Sequence, residues 1–362
     1  MKKYLSPLFA FLLIHCCILL QAQRKTQNLV IVTLDGFRWQ EVFGGIDSAL
    51  ALQKEYTRDT AGMMRQFGAT DVAERRRKLL PFFWNTIATN GQLYGNRKLG
   101  SNVNNANKYW FSYPGYNEIF TGYPDDSVNS NDKIWNKNVN VLEYIHQQEG
   151  YHGNVAAFAT WDVFPYILNV QRSGIYVNAD VDTLRFPSSR FALLNDMQFL
   201  APRPVGVRPD LITYLAAREY LQEYKPKVLY IAFDETDDFA HAGNYEQYIL
   251  SAHSQDAMIA DLWSTLQRMP EYRGNTTLLI TCDHGRGDAN KEEWKHHGQK
   301  IADAGQIWMA VLGPDTAPLG EMKGGALLYQ GQIASTLAGL LGIDFKPAHP
   351  VLKPISSIAD KK

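Results

Sequence analysis

The sequence predicts an α/β fold in which helices sandwich a mostly parallel central sheet. Two observations carry this: short, continuously apolar, β-branched runs alternate with stretches of helical period, and chemically capable side chains recur just beyond those runs. The strand candidates are Asn28–Leu34, Val155–Phe158, Val228–Phe233, Thr277–Thr281 and Trp308–Leu312. Runs without polar alternation suit strands covered on both faces, as in parallel sheets. The helical stretches include Asn138–Gln148, Arg208–Tyr224, Tyr245–Met269 and Gln330–Leu341. In the third, Ile249, Ala252, Ala257, Ile259, Ala260, Leu262, Trp263 and Leu266 recur with a period near 3.6. Gly342 follows the last as a natural C-terminal cap.

The first residues read as an export signal. Met1-Lys2-Lys3 is a basic start, residues 4–20 are almost wholly apolar, and Leu20-Gln21-Ala22 offers a small-residue cleavage site. Residues 1–22 are therefore expected to be a signal peptide, with the mature chain periplasmic or secreted and not inserted in the membrane. A retained anchor is the other reading, disfavoured by the short run. Ile14-His15 before Cys16 lacks the small residues of a lipid-attachment site. Cys16 and Cys17 fall within the signal, leaving Cys282 alone in the mature chain, so core packing must replace an intrachain disulfide. Cys282 ends an apolar run and reads as a buried small residue.

Residues 23–362 are expected to form a single catalytic domain with an insertion at about 45–80. That stretch carries no strand signal and reads as a helical excursion before a helix near Phe82–Asn90. Its basic run, Arg75-Arg76-Arg77-Lys78, reads as a solvated helix face. The 362 residues are 45% hydrophobic and 20% charged, with a formal net charge of −1. That is ordinary globular composition, and the charge balance gives no sign of an obligatory nucleic-acid partner.

Seven side chains suit a metal centre: Asp35, Ser112, Asp237, His241, Asp283, His284 and His297. Most follow an apolar run, and in parallel sheets ligands gather at the carboxyl ends of strands. Three carboxylates, three imidazoles and a hydroxyl are what two closely spaced divalent ions need to activate an oxygen nucleophile and steady a leaving oxygen. Asp237 and His241, four residues apart, share a face on a helix and can also converge on a tight loop. Asp283 and His284 point together only if the strand has ended, and Gly285 allows that turn. Each pair is weak evidence alone; their joint occurrence in order is not.

On these residues the chain resembles the alkaline phosphatase superfamily. LDGFR (34–38), SYPGYNEIFTG (112–122), ETDDFAH (235–241), TCDHG (281–285) and HHG (296–298) carry the resemblance. It extends through IWMAVLGPD (307–315) and QIASTLAGLLG (332–342), and is nearest the type I phosphodiesterase/nucleotide pyrophosphatase-like and related phosphatase branches. The resemblance implies a phosphoric ester hydrolase acting on a small phosphate ester through a Ser112 phospho-enzyme. It also implies two divalent ions, usually zinc in this family. One would be held by Asp35, Ser112, Asp283 and His284, the other by Asp237, His241 and His297; His296 is the substitute for His297. Hard oxygen and nitrogen ligands without thiolate fit zinc and also admit manganese or iron.

The resemblance further implies an Asn on the phosphoryl oxygen some twenty residues past the nucleophile. Asn131, within Asn129-Ser130-Asn131-Asp132, takes that place, catalytic alongside Ser112. The chain also departs from the family pattern. Tyr113-Pro114-Gly115-Tyr116 stands where diesterases continue Phe-Pro-Asn-His, and no Lys-Xaa-Arg or lone Arg is placed to grip a monoester. Phe111, Tyr113 and Trp161 are candidates for the leaving-group pocket. Sulfatase-like activity needs formylglycine within Cys/Ser-Xaa-Pro-Xaa-Arg, and Tyr116 replaces the Arg. Phosphotransfer on the same fold and a non-catalytic metal-binding role are the remaining alternatives. Neither the monoester or diester preference nor the oligomeric state is written in the sequence.

Overall fold

Seven consecutive buried residues form the strand on which the main sheet is assembled. The computed structural model describes residues 25–359, so the expected signal at 1–22 lies outside the described residues. The strands in chain order are β1 (Asn28–Leu34), β2 (Gln92–Tyr94), β3 (Val103–Asn104), β4 (Val155–Ala159), β5 (Tyr176–Ala179) and β6 (Val228–Phe233). They continue with β7 (Thr276–Thr281), β8 (Gln306–Ile307), β9 (Met309–Leu312), β10 (Gly320–Glu321) and β11 (Leu328–Tyr329). Eight of them make one sheet in the order β10-β2-β9-β7-β1-β6-β4-β5. All its pairings are parallel except those that β9 makes with β2 and β7.

Every residue of β1, β4, β6, β7 and β9 is buried. This is why these strands read as unbroken apolar runs rather than alternating ones. Their few polar groups are satisfied inside the sheet: Thr33 meets the Tyr230 hydroxyl at 2.7 Å, and Thr281 Oγ1 donates to the Trp308 carbonyl at 2.6 Å. The helix Asp210–Tyr224 packs on β4 and β6, and Gln332–Leu340 packs on the helix Ser112–Thr121. Among the described residues, no helix is long and apolar enough to cross a membrane.

Strand register places the site. Leu34 is level with Phe233, and Thr33 with Thr281. The three central strands therefore end together, and the residues that follow them emerge on one rim. A second, three-stranded sheet, β11-β3-β8, lies on the path to Ser112. Beyond it, Asn105 Nδ2 donates to the Asp283 carbonyl and to Gln330 Oε1, both at 2.7 Å, and Gln330 Nε2 donates to the carbonyls of Cys282 and Asp283. The chain leaving β7 is thereby pinned to the segment that leads to Ser112. Cys282 is fully buried, as its apolar setting predicts.

The excursion at 45–80 is helical: Ser48–Ala51, Thr60–Phe67 and Val72–Leu79, capped by the side chains of Asp47, Asp59 and Asp71. Its basic run differs from the solvated face expected. Arg75 donates to the carbonyls of Gly44 and Ala69, Arg76 pairs with Glu321 and lies over the Trp84 ring, and Lys78 donates to the Gly68 carbonyl. These long stems brace the excursion against its neighbours, with Arg77 left exposed.

The helix expected near Phe82–Asn90 opens with a π-helical turn, Phe83–Ile87. Asp256, on the long helix Tyr245–Arg268, accepts the N–H groups of Phe82 (2.8 Å) and Phe83 (3.1 Å). Burial pushes the Asp256 carboxyl from 3.8 to about 7. The folded chain thus keeps a proton that the unfolded chain has released over that window, and stability falls as pH rises through it. Asp256→Asn is expected to flatten this slope. Chemical denaturation at pH 5 and pH 8 should show the variant gaining on the parent at the higher pH, and an equal difference at both would contradict the assignment.

Candidate metal centre

Asp35 follows the last residue of β1, and its backbone N–H continues the ladder to the Phe233 carbonyl at 3.0 Å. Gly36 then turns the chain with φ +57°, and its N–H donates to Asp283 Oδ1 at 3.1 Å. A methyl group at Gly36 would lie 2.5 Å from Asp237 Oδ1, so only glycine lets the two segments approach this closely. Across the rim, the helix Glu235–His241 begins one residue beyond β6. Its four-residue spacing puts Asp237 Oδ2 and His241 Nε2 3.1 Å apart, settling the helix-or-loop alternative in favour of a helix.

Beyond β7 the strand has ended, and Asp283 and His284 do converge. His284 Nε2 lies 3.4 Å from Asp35 Oδ1, 3.3 Å from Asp283 Oδ2, 3.7 Å from Asp237 Oδ1 and 3.5 Å from Ser112 Oγ. His297 stacks on His284 at 4.0 Å between ring centroids, and its Nε2 lies 2.9 Å from His241 Nε2. His284 Nδ1 faces the Gly285 carbonyl and His297 Nδ1 the Trp110 carbonyl. A carbonyl only accepts, so each Nδ1 carries the proton and each Nε2 turns its lone pair inward. His296 is exposed and outside this cluster.

Ser112 opens the helix Ser112–Thr121 and is 6% exposed. Trp110, two residues earlier, is forced to φ +52°, a conformation that costs a non-glycine residue about 1–3 kcal/mol. That turn aims the Trp110 carbonyl at His297 while the chain swings Ser112 toward His284. Gly115 brings the helix against Asp283, whose carbonyl would lie 2.4 Å from an added methyl. Asn131 Oδ1 accepts the Tyr113 N–H at 2.9 Å, which brings the amide beside the helix that Ser112 opens, from a separate loop.

The structure therefore brings all seven side chains together, with Asn131 at their edge. Two of the carboxylate oxygens, Asp35 Oδ1 and Asp283 Oδ2, are buried without a hydrogen-bond partner. Burial, then repulsion from Asp237, holds the Asp35 carboxyl well above the usual range; burial and then Asp35 do the same to Asp283. Burial, then the neighbouring His284, pushes His297 down to about 2, keeping its imidazole neutral. Burial also opposes ionisation of Asp237, but the Arg286 guanidinium beside it overcomes this and holds that carboxyl well below its usual value. Unpartnered buried oxygens, crowded carboxylates and inward lone pairs together fit divalent cations.

Sequence reasoning missed four residues that support this arrangement. Tyr116, one turn after Ser112, donates to Asp35 Oδ2 at 2.8 Å. Glu118, fully buried, accepts the N–H groups of Ala106, Asn107 and Gly331, shaping the loop before Ser112. Arg38, within LDGFR, is fully buried against Glu41 and donates to the Gly287 carbonyl at 3.1 Å, so it braces the segment leading to His297. Arg286 contacts Asp237. Tyr113 is 3% exposed with its hydroxyl bonded to the Ile134 carbonyl, and it borders a cavity of about 260 Å³ lined also by Ser130 and Trp135. Trp161 is half-buried with its ring edge-on to Phe164.

Residues 56–333 match the family model described as type I phosphodiesterase / nucleotide pyrophosphatase. The 2,3-bisphosphoglycerate-independent phosphoglycerate mutase of Helicobacter pylori is 25% identical over 155 residues, which is 41% of this chain and 29% of that enzyme. The match thus spans less than a third of the relative's length. Among solved structures, the lipoteichoic acid synthase LtaP of Listeria monocytogenes has a TM-score of 0.60 at 13% identity, covering 94% of this chain and 77% of that one. Murine ectonucleotide pyrophosphatase/phosphodiesterase 5 in complex with AMP has a TM-score of 0.58 at 14% identity, covering 92% and 99%. At these identities the likeness speaks to the fold.

Tyr116→Phe strips a buried carboxylate oxygen of its donor, and is expected to destabilise the metal-free protein by about 1–3 kcal/mol. Denaturant unfolding checks this, and unchanged stability would mean that the bond to Asp35 does not form in solution.

Proposed function

The chain belongs to the type I phosphodiesterase / nucleotide pyrophosphatase family of the alkaline phosphatase superfamily, and on that footing we propose that it is an exported two-metal phosphodiesterase with Ser112 as nucleophile. Membership makes it a hydrolase of the phosphodiesterase/phosphatase type. The observation that carries the finer reading is the convergence of Asp35, Asp283, His284, Asp237 and Ser112 on one buried point.

Asp35, Ser112, Asp283 and His284 would hold one divalent ion, and Asp237, His241 and His297 the other, with zinc suited to this ligand set. Bound there, the ions supply Lewis acidity and a lowered hydroxyl pKa. The chain's own residues do the rest. Trp110 and Gly115 fix the direction of Ser112 Oγ, and burial keeps bulk water from it. Ser112 Oγ forms a bond to phosphorus as the bond to the leaving alcohol's oxygen breaks, and the serine proton ends on that alcohol. Water then cleaves the Ser112 ester, returning the hydroxyl and releasing the phosphoryl product. Asn131, its Oδ1 fixed by the Tyr113 N–H, has its amide N–H₂ available for the phosphoryl oxygen.

A diester is favoured over a monoester by the charge balance of the site. Basic side chains on its segments are committed: Arg286 to Asp237, Lys108 to Asp126 and Lys133 to Asp162. A monoester dianion therefore meets less positive charge than it needs, whereas a diester carries a single negative charge. Tyr116, bonded to Asp35, stands where a sulfatase keeps its arginine, and Ser112 is expected at its unmodified mass.

Ser112→Ala is expected to abolish cleavage of a nitrophenyl diester while zinc uptake at the other subsite persists. Asn131→Ala should lower kcat by roughly ten- to a thousandfold, the scale of one oxyanion donor. Chelation should remove activity and zinc restore it. A parent enzyme faster on the paired monoester, or indifferent to chelation, would contradict the reading.

A further inference from the structure

Arg286 is 1% exposed and sits two residues past His284, yet it offers no lone pair to an ion. Its Nη2 contacts Asp237 Oδ1 and donates to the Asp237 carbonyl at 3.0 Å, while Nη1 donates to the Lys295 carbonyl at 2.7 Å. The other carboxylate oxygen, Asp237 Oδ2, faces His241 Nε2 at 3.1 Å. Asp237 is therefore shared unevenly: Oδ2 meets a histidine alone, whereas Oδ1, 3.7 Å from His284 Nε2 and 3.8 Å from His297 Nε2, is also held by the guanidinium. Gly36 enforces the division, because a side chain there would strike Asp237 Oδ1 at 2.5 Å and Arg286 Nε at 3.0 Å.

The other half of the centre is built differently. Asp35 Oδ2 accepts from the neutral Tyr116 hydroxyl and Asp283 Oδ1 from the Gly36 N–H, leaving Asp35 Oδ1 and Asp283 Oδ2 without hydrogen-bond partners. Among the described residues, His284 is the basic side chain that contacts these two carboxylates. One subsite thus presents two carboxylates with neutral donors, and the other presents a single carboxylate already half neutralised by guanidinium.

We propose that Arg286 is a positioning residue that restricts Asp237 to one ligand oxygen and weakens the subsite formed by Asp237, His241 and His297. The two ions would then bind with unequal affinity. A guanidinium stays charged at any working pH and repels a dication beside it, so both effects act in the same direction. This inference rests on the two-ion reading above.

The test is a zinc titration of the metal-free mature chain against a chromophoric chelator. The parent is expected to bind two equivalents with affinities at least tenfold apart, and equal affinities would overturn the proposal without any variant. Arg286→Gln, which removes the charge and keeps a polar amide, should tighten the weaker step at least tenfold and leave the tighter step unchanged. Arg286→Lys, which restores the charge, should return the weaker step toward the parent value. If Arg286 only braced the Lys295 segment, Arg286→Gln would weaken that step or leave it alone, which would overturn the proposal. A parent chain that takes up no second equivalent would overturn the two-ion reading, and this inference with it.

Discussion

The constraint on which the site depends is electrostatic: Asp35, Asp237 and Asp283 are buried around a single histidine nitrogen. Two of their oxygens have no hydrogen-bond partner, and burial with mutual repulsion drives the Asp35 and Asp283 carboxyls toward protonation. A fold accepts such crowding only where something compensates it. Arg286 compensates Asp237, and divalent cations are the fitting compensation for the other two. Many nearby features follow from that demand, from the hydroxyl of Tyr116 on Asp35 to the two imidazoles whose protons are tied up by carbonyls.

Strand geometry makes the crowding possible. β1 pairs in register with β6 on one side and β7 on the other, so a strand from the start of the chain ends on one rim with two strands from far along it. Close approach then depends on missing side chains: Gly36 against Asp237 and Gly115 against the Asp283 backbone. The helix carrying Ser112 is held in place by Glu118, which gathers backbone N–H groups from the preceding loop and from Gly331. Position, rather than unusual chemistry in any one residue, distinguishes the centre.

Much of this was legible in the sequence, for physical reasons. β1 and β6 are read to the residue because burial on both faces leaves an unbroken apolar run that turns polar where the sheet ends. The seven ligand-type side chains stand out because most of them follow such runs, and because Asp237 and His241 keep helical spacing. The two- to four-residue strands β2, β3, β5, β8, β10 and β11 were not legible, since so short a segment carries no period. Tyr116, Arg286 and Glu118 were missed for another reason. Each has a partner far along the chain (81 residues between Tyr116 and Asp35, 49 between Arg286 and Asp237, 213 between Glu118 and Gly331), and no local pattern announces such a pairing. The basic run at 75–78 looked like a solvent face because charge alone does not reveal that long stems will brace a neighbour.

The most direct test of the central claim is a crystal structure of the protein grown with zinc, with anomalous scattering measured on both sides of the zinc absorption edge. Two edge-dependent peaks are predicted, one touching Asp35, Asp283, His284 and Ser112, the other touching Asp237, His241 and His297 through a single Asp237 oxygen. Carboxylates hydrogen-bonded to one another with no such peak between them, or zinc bound only elsewhere on the surface, would contradict the account.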